Sequence, residues 1–598
     1  MGSLLFSENY VKESEEDGFD PTLNWLSMML DQYHKSFNVY TDANAAGNHF
    51  VARGKFFGPG GEDDVPDMDE AYVEVQQYEG VNCIKASFLS MPYPYNNWGG
   101  WYFMNGVLQG DETQPSPNWG DYPDAGINLQ RATRITFWAK GAQGGEQVEF
   151  FAFGVGKNPP MPYPDSANKL TLGYLTLKPD WTQYTIDLTG KDISYVLGGF
   201  GWATNAFKNS FSDITFYLDD IKFDKAKLHE PRFSISYKTK KSNQDFDMIM
   251  RNAAFTYDNS VALIAFLASG DLKRARLIAD ALVYAQKHDR YFEDNRIRNA
   301  YQGGDLILWP GWIPNGKINT ARMPGWYDKC QEKWLEDEYQ VSTATGNVAW
   351  AMLALIAFYE VAGENQYLDA VRDFGQWVES NCRDARGNGG YTGGFQGWEK
   401  PGQIKLMYKS TEHNIDLYSA FRKLYFITGE KKWYERALHA RKFFLSMWDK
   451  NDGKFWIGTL DDGTTINKSV IPVDVQAWAL LALGTESLKY IKALTYAENH
   501  LKVGNGFDFN QDCDGIWLEG TAQMAAAYYY VGQTEKGDLL VSFLRGMQDA
   551  SGGFPAANKD GLTTGLDLPD GSPWLYYKRL HVGATAWFIL AEKHINPF

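Results

Sequence analysis

The stretch NVAWAMLALIAFYEVAG, residues 347–363, repeats small and apolar side chains at three- and four-residue spacing, a helical period with a single charge at Glu360. A helix apolar on every face must be enclosed by others. The next stretch, ENQYLDAVRDFGQWVESN at 364–381, keeps the helical period but carries charge along one side, and it leads into a glycine- and aromatic-rich turn, GYTGGFQGW at 390–398. The unit reads as an inner helix, an outer helix and a turn.

Five more apolar helices read the same way: VALIAFLASG (261–270), IDLYSAFRKLYFITG (415–429), VQAWALLALG (475–484), TAQMAAAYYYVG (521–532) and GATAWFILAEKH (583–594). Charged helices such as DLKRARLIADALVYAQKH (271–288) and EKKWYERALHARKFFLSMW (430–448) alternate with them, followed by turns such as GKFWIGTL and SGGFPAAN. Helix pairs of this kind bury their faces only by stacking on neighbours, and six pairs can close into an (α/α)6 toroid with the apolar helices inside.

Upstream the period changes to two. Runs such as RITFWAKG (134–141), EQVEFFAFGVG (146–156), TQYTIDLTG (182–190) and ITFYLDDIKF (214–223), split by Gly, Pro, Asn and Asp, predict an antiparallel β-sandwich over 37–224. The expected organisation is an N-terminal extension (1–36), the sandwich (37–224), a polar linker (225–250) and the toroid (251–598). ITFWAKG (135–141), DWTQYTIDL (180–188) and FYLDDIKF (216–223) resemble strands of the jelly-roll modules found beside bacterial polysaccharide-degrading enzymes. That resemblance implies a carbohydrate-binding-like or accessory domain.

With 598 residues there is ample chain for several cores. A net charge of -17 and the lack of any basic run argue against a nucleic-acid partner. No stretch reaches the ~18 apolar residues of a membrane span. MGSLLFSENY lacks the features of a signal peptide and MGS reads as a cloning remnant, so an export signal is expected to have been removed from a secreted or periplasmic protein. Cys83, Cys330, Cys382 and Cys513 show no CxxC spacing, which argues against a zinc site and leaves room for one disulfide.

In a toroid the segments entering the inner helices line one mouth. Here they carry Asp258 (TYDNSVAL), Asn347 (TATGNVAW), Glu412 (STEHNIDL), Asp474 (IPVDVQAW) and Glu519 (WLEGTAQM). Carboxylates near helix starts commonly serve as caps. Glu412 resists that reading, because Ser410 or Thr411 can cap, and because Glu412 and Asp416 stack like charges on one helix face. Glycoside hydrolysis requires two carboxyl groups, one to protonate the leaving oxygen and one to activate water or attack the sugar. Glu412 is the candidate acid, with Asp258, Asp474 and Glu519 as candidates for its partner, and His413 and Asp416 beside it as sugar-binding groups.

WLEGTAQMAAAY (517–528) resembles the helix start of family 8 glycoside hydrolases, which are also (α/α)6 toroids, and departs from their motif after the Glu-Gly pair. The resemblance implies that Glu519 is the general acid. A competing reading places Asp508, Asn510, Asp512, Asp514 and Glu519 at positions one, three, five, seven and twelve of a calcium loop, with Cys513 where such a loop has glycine. No cofactor is required by the hydrolase chemistry, so calcium there would be structural.

Aromatic residues in the glycine- and proline-rich loops, Trp309, Trp312, Trp326, Tyr391, Trp398, Trp456, Trp517 and Trp574, are expected to be exposed and to stack on sugar rings. Arg322, Arg296 and Arg298 in the long 289–343 segment are candidate ligands for an acidic sugar. The expected function is cleavage of a polysaccharide by an inverting glycoside hydrolase. A polysaccharide lyase or unsaturated-uronyl hydrolase, with His413 or a tyrosine as base and Arg322 or Arg579 as cation, and a non-catalytic glycan-binding scaffold are the alternatives. The absence of DDxxD and DxDD runs argues against a terpenoid cyclase.

Overall fold

The computed structural model describes residues 20–598 except 33–35, 44, 46–47, 59–65, 109–114, 226–229, 241–243, 307–316, 318, 329–330 and 332. The sandwich has eleven strands, from β1 (Ser36–Tyr40), β2 (Ala52–Phe57), β3 (Pro66–Tyr72), β4 (Cys83–Phe88), β5 (Trp98–Met104) and β6 (Ala132–Gly141) to β7 (Gln147–Ala152), β8 (Leu170–Thr176), β9 (Thr182–Asp187), β10 (Gly198–Asn205) and β11 (Ile214–Lys225). One antiparallel sheet runs β3-β4-β11-β6-β9 with β1 also on β11, and the other runs β2-β5-β10-β7-β8. Alternate residues of each, including Phe137, Phe150, Phe200, Trp202 and Phe216, meet in a shared core.

Among the described residues twelve helices of nine or more residues build the toroid. The inner six are α2 (Thr256–Ala268), α4 (Thr345–Ala362), α6 (Thr411–Thr428), α8 (Val473–Leu483), α10 (Leu518–Tyr530) and α12 (Val582–Glu592). Each packs on the next and α12 returns to α2, so the ring is closed. Five outer helices follow their inner partners: α3 (Leu272–Lys287), α5 (Asn365–Cys382), α7 (Lys431–Ser446), α9 (Lys492–His500) and α11 (Thr534–Arg545). By length and composition α4 is apolar enough to cross a membrane, but it is enclosed on all sides as an inner helix.

The sixth outer helix is α1 (Pro21–Asp31), which lies within the segment expected to be an N-terminal extension. It packs against α12, burying Trp25, Leu26, Met29 and Leu30 in the toroid core. Gly553 makes room for Trp25, since a Cβ there would stand 2.5 Å from the indole. Asp20 caps the helix and Asp31 pairs with Arg232 at 2.6 Å. Trp25→Ala therefore removes a wall of the toroid and is expected to cost about 3–5 kcal/mol, readable as a lowered unfolding midpoint in denaturant, whereas a dispensable extension would leave the midpoint unchanged.

The expected linker is corrected as well. Arg232–Phe233 pairs with Gly304–Asp305, and Tyr237–Lys238 pairs with Leu580–His581, so much of 230–240 is built into the toroid by backbone hydrogen bonds that the polar composition did not announce.

Recurrent clamps fix the starts of the inner helices. The first N–H of each donates to a carbonyl of a loop: Thr256 to Asn299, Thr345 to Gly393, Thr411 to Ile457, Val473 to Phe509, Leu518 to Ala556 and Val582 to Ser236. The side chain one turn further in then pairs with a second loop residue. Asn259 grips Ser234, Asn414 grips Tyr391 and Gln476 grips Phe455, each accepting from the N–H and donating to the C=O. Helix starts held in this way do not need their carboxylates as caps.

Candidate functional site

The clamps leave the acids of the inner helices facing the mouth. Asp258, Asn347, Asp474 and Glu519 are buried, and Glu412 keeps partial exposure. The N-cap residues of α2, α8 and α10 are Phe255, Pro472 and Trp517, without side-chain caps, whereas Ser410 caps α6 by accepting from His413 N–H at 3.3 Å. Among the described residues the Glu412 carboxyl has no hydrogen-bond partner. In the closed ring α6 stands three helices from α12, so Glu412 lies across the bore from His581, with Asp258 on the next helix round.

His581, the N-cap of α12, organises the opposite wall. Its Nδ1 accepts from Ala584 N–H at 3.3 Å, which places the ring proton on Nε2, and Nε2 donates to Asp258 Oδ2 at 3.1 Å. Glu519 Oε2 lies 3.5 Å from Nδ1. Glu519 Oε1 accepts from Tyr257 Oη at 2.5 Å and from Gln523 Nε2 at 3.2 Å. Tyr237, from the supposed linker, stacks on the imidazole at 4.3 Å with 13° between planes. Gly583 is required here: a Cβ would stand 2.7 Å from Asp258 Oδ1 and 2.9 Å from Glu519 Oε2. Gly583→Ala favours the helix by about 1 kcal/mol but drives the two carboxylates apart. It is expected to keep or raise the melting temperature while lowering turnover at least ~10-fold; a variant as active as the native chain would show that this wall is not used.

Burial dominates the electrostatics. It pushes Asp474 up to about 7 against the hydrogen bond from Val475 N–H, and Glu519 up to about 7, with Asp258 adding to the rise and His581 opposing it. Burial and then Asp474 and Glu519 hold Glu412 well above the usual carboxylate range; burial, then Glu412 and Asp474, do the same to Asp416. Burial depresses His581, yet the Asp258 carboxylate outweighs it and the imidazole ends raised. A carboxyl whose folded pKa is raised is stabilising while protonated and loses that contribution as pH climbs above the unfolded value near 4. Asp416→Asn removes one such group. The fall in melting temperature of the native chain between pH 5 and pH 8 is therefore expected to be shallower in the variant; parallel curves would mean that Asp416 is ionised at no cost.

The remaining expectations fall into place unevenly. His413 packs its ring against α4, where a Cβ on Gly346 would be 2.5 Å from its Cδ2. Burial lowers its pKa to about 4 and it makes no hydrogen bond to Asp416, so it is a neutral packing residue. Tyr391 is fully buried between α5, α6 and α7, bonded to Glu379 at 2.8 Å, because the Asn414 clamp draws its loop inward; it is core, not a sugar platform. Trp517 is also buried, stacked on Tyr576 at 5.5 Å. Trp574 meets Tyr339 edge-on at 5.0 Å, and Trp326 sits in a short hairpin with Leu335 opposite. Trp398 is exposed, and Trp456 lies under Lys454 and Lys468. Trp309 and Trp312 lie outside the described residues.

The arginines are occupied elsewhere. Arg298 is buried against Asp289 (2.5 Å) and Glu399 (2.7 Å), Arg296 pairs with Asp294 (2.7 Å), and Arg579 with Asp247 (2.8 Å) and Asp560 (2.9 Å). Arg322 lies at the junction of toroid and sandwich, beside Asn38, His49, Asn252 and Gln302. Its expected role as a sugar-carboxylate ligand fails on position. Sequence reading missed His581, Tyr237 and Tyr257; for His581 the available signal was its place before an inner helix, matching that of Ser410.

The calcium-loop reading is divided. Asp508, Asp512 and Asp514 present ligand atoms within 4.8 Å of one another. Asn510 Oδ1 is taken by Asp512 N–H, Asp514 pairs with Lys559 at 3.1 Å, and Glu519 turns to Tyr257 instead of closing the loop. Cys83, Cys382 and Cys513 are free thiols.

No protein-family model matches the chain, and neither does any curated protein. Among solved structures it is similar to a sugar epimerase from a ruminal bacterium (13% identity, TM-score 0.41, covering 61% of this chain and 93% of that one). It is also similar to a GH76 alpha-mannanase from Bacteroides thetaiotaomicron (13%, 0.37, 58% and 87%) and to a D-mannose isomerase (12%, 0.41, 62% and 92%). Likenesses this distant carry no functional conclusion. By its own helices the chain is a closed (α/α)6 toroid with a carboxyl-lined mouth, preceded by a β-sandwich.

Proposed function

We propose that the chain is a glycoside hydrolase cleaving a neutral polysaccharide or oligosaccharide, with Glu412 as general acid and Asp258, oriented by His581, as the base that activates water. The observation that carries this reading is the set of carboxyl groups on the inner-helix starts, in which Glu412 is unbonded and held well above the usual carboxylate range by burial, while Asp258, on the helix next to the one opposite, is hydrogen-bonded to an imidazole. Two carboxyl groups on different walls of a cleft, one held above the usual range and one oriented by a hydrogen bond, form an arrangement that single-displacement hydrolysis can use. Glu519, locked by Tyr257 and Gln523, acts as support for that wall. A polysaccharide substrate places the protein outside the cytoplasm, secreted or periplasmic, with the sandwich as an accessory domain.

An acidic substrate is disfavoured by the lack of available cations. Arg296, Arg298 and Arg579, which would neutralise a uronate, are tied up in ion pairs. The test is a panel of neutral and uronate polysaccharides assayed both for reducing ends and for ultraviolet-absorbing unsaturated products. The hydrolase reading expects reducing ends from a neutral polymer with no absorbing product. Unsaturated product from a uronate polymer would replace it with the lyase.

A further inference from the structure

The acid ring has a second layer beneath it. One helical turn inward from Gly346, Glu412, Asp474, Glu519 and Gly583, at i+4 in five of the six inner helices, stand Trp350, Asp416, Trp478, Gln523 and Trp587. These side chains converge. The Trp587 indole N–H donates to Tyr257 Oη at 2.7 Å, Gln523 donates to Glu519, and the Tyr257 ring lies 5.1 Å from Trp350 and 6.2 Å from Trp478. Below, Phe598 packs at 5.4 Å on both Trp350 and Trp478 and closes the bore.

The layer is buried and incompletely satisfied. Both oxygens of Asp416, Oε1 of Gln523 and the indole nitrogens of Trp350 and Trp478 have no hydrogen-bond partner, while Asp416, Gln523, Trp350 and Trp478 are 0%, 0%, 1% and 2% exposed. Buried polar groups left unpaired are costly, and four on one level of one bore call for a common partner. Its chemistry follows from the unpaired set. An anion has no proton to give to Gln523 Oε1. A metal ion finds no ligand in an indole N–H, and an amine would leave both indole donors idle. A group that both donates and accepts satisfies all four, and that group is a hydroxyl.

We propose that Asp416, Gln523, Trp350 and Trp478 form the floor of a sugar subsite and bind the hydroxyl groups of one neutral sugar ring that enters the toroid end-on. This rests on the glycosidase reading above and adds the depth and chemistry of its pocket. Ring hydroxyls take the two indole N–H donors and give their own protons to Asp416 and Gln523, while Glu412 stays one turn above, level with the glycosidic oxygen.

The test separates this inference from the reading it rests on. Neutral monosaccharides (glucose, mannose, galactose, xylose) and their short oligosaccharides are titrated by isothermal calorimetry and tryptophan fluorescence into the native chain and into Glu412→Gln, Asp416→Asn and Trp478→Phe, the last deleting only an indole donor from an aromatic position. The expected result is one sugar series that binds native and Glu412→Gln within about threefold, and binds Asp416→Asn and Trp478→Phe roughly tenfold or more weakly, with all four unfolding cooperatively. Equal affinity across all four would overturn the inference, assigning the layer to internal water, and would leave the hydrolase reading standing. Binding of no neutral sugar to any of them would overturn both.

Discussion

Glu412→Gln is expected to remove at least ~100-fold of turnover on the polysaccharide that the native chain cuts, the scale of general acid catalysis, with little change in KM. Glutamine keeps the size and the hydrogen-bonding reach of the side chain but has no proton to release. The carboxyl it replaces is only partly exposed, unbonded among the described residues, and held well above the ordinary range by burial with Asp474 and Glu519 close by. Removing one buried acid from that group also relieves repulsion, so the variant is expected to be as stable as the native chain at pH 7 or more so. A leaving group that needs no protonation, such as a nitrophenolate, should be cleaved with a much smaller loss. Equal losses on both substrates would show that Glu412 is not the proton donor.

Asp258→Asn is expected to be comparably severe, again about 100-fold or more in kcat, because it removes the proposed base and disturbs the imidazole that orients it. The amide introduced at this position still offers an oxygen to His581 Nε2–H, so the fold is expected to survive. His581→Gln is expected to be milder: it retains a donor toward Asp258 but loses the Tyr237 stack and the cap on Ala584 N–H. The ordering Asp258→Asn more damaging than His581→Gln separates a base from a positioning residue. The reverse order in kcat, at matched stability, would make His581 the proton acceptor and shift the reading towards proton abstraction from a sugar carbon.

The helical half of the molecule was largely legible, and for a physical reason. An inner helix such as α4 is enclosed on every side, so its sequence is apolar at nearly every position, and the acids stand out against that background where each such run begins. The residues that the clamps use, Asn259, Asn414 and Gln476, carry no comparable signal, since a buried amide gripping a loop reads like any polar residue near a helix start. Nor could local pattern attach α1 to α12, because the sandwich stands between them in sequence and the contact is made only in three dimensions.

The site was legible in its acids and illegible in its partners. His581 meets Asp258 across 323 positions, and Tyr257 meets Glu519 across 262, pairings that no spacing rule encodes. Aromatics in glycine-rich turns misled at Tyr391 and Trp517, because those turns fold back onto the toroid wall and bury their rings. The arginines of the long loop pointed to an acidic ligand until their carboxylate partners, Asp289, Asp294 and Glu399, were found within the same region of the fold.

The most direct test of the central claim is hydrolysis in water enriched in oxygen-18, with early products followed by mass spectrometry. The account predicts that each newly formed reducing end carries one heavy oxygen at its anomeric carbon, and that the released hydroxyl on the other fragment carries none. Chain cleavage without incorporation, giving an unsaturated sugar, or conversion of a sugar to its isomer without cleavage, would contradict it.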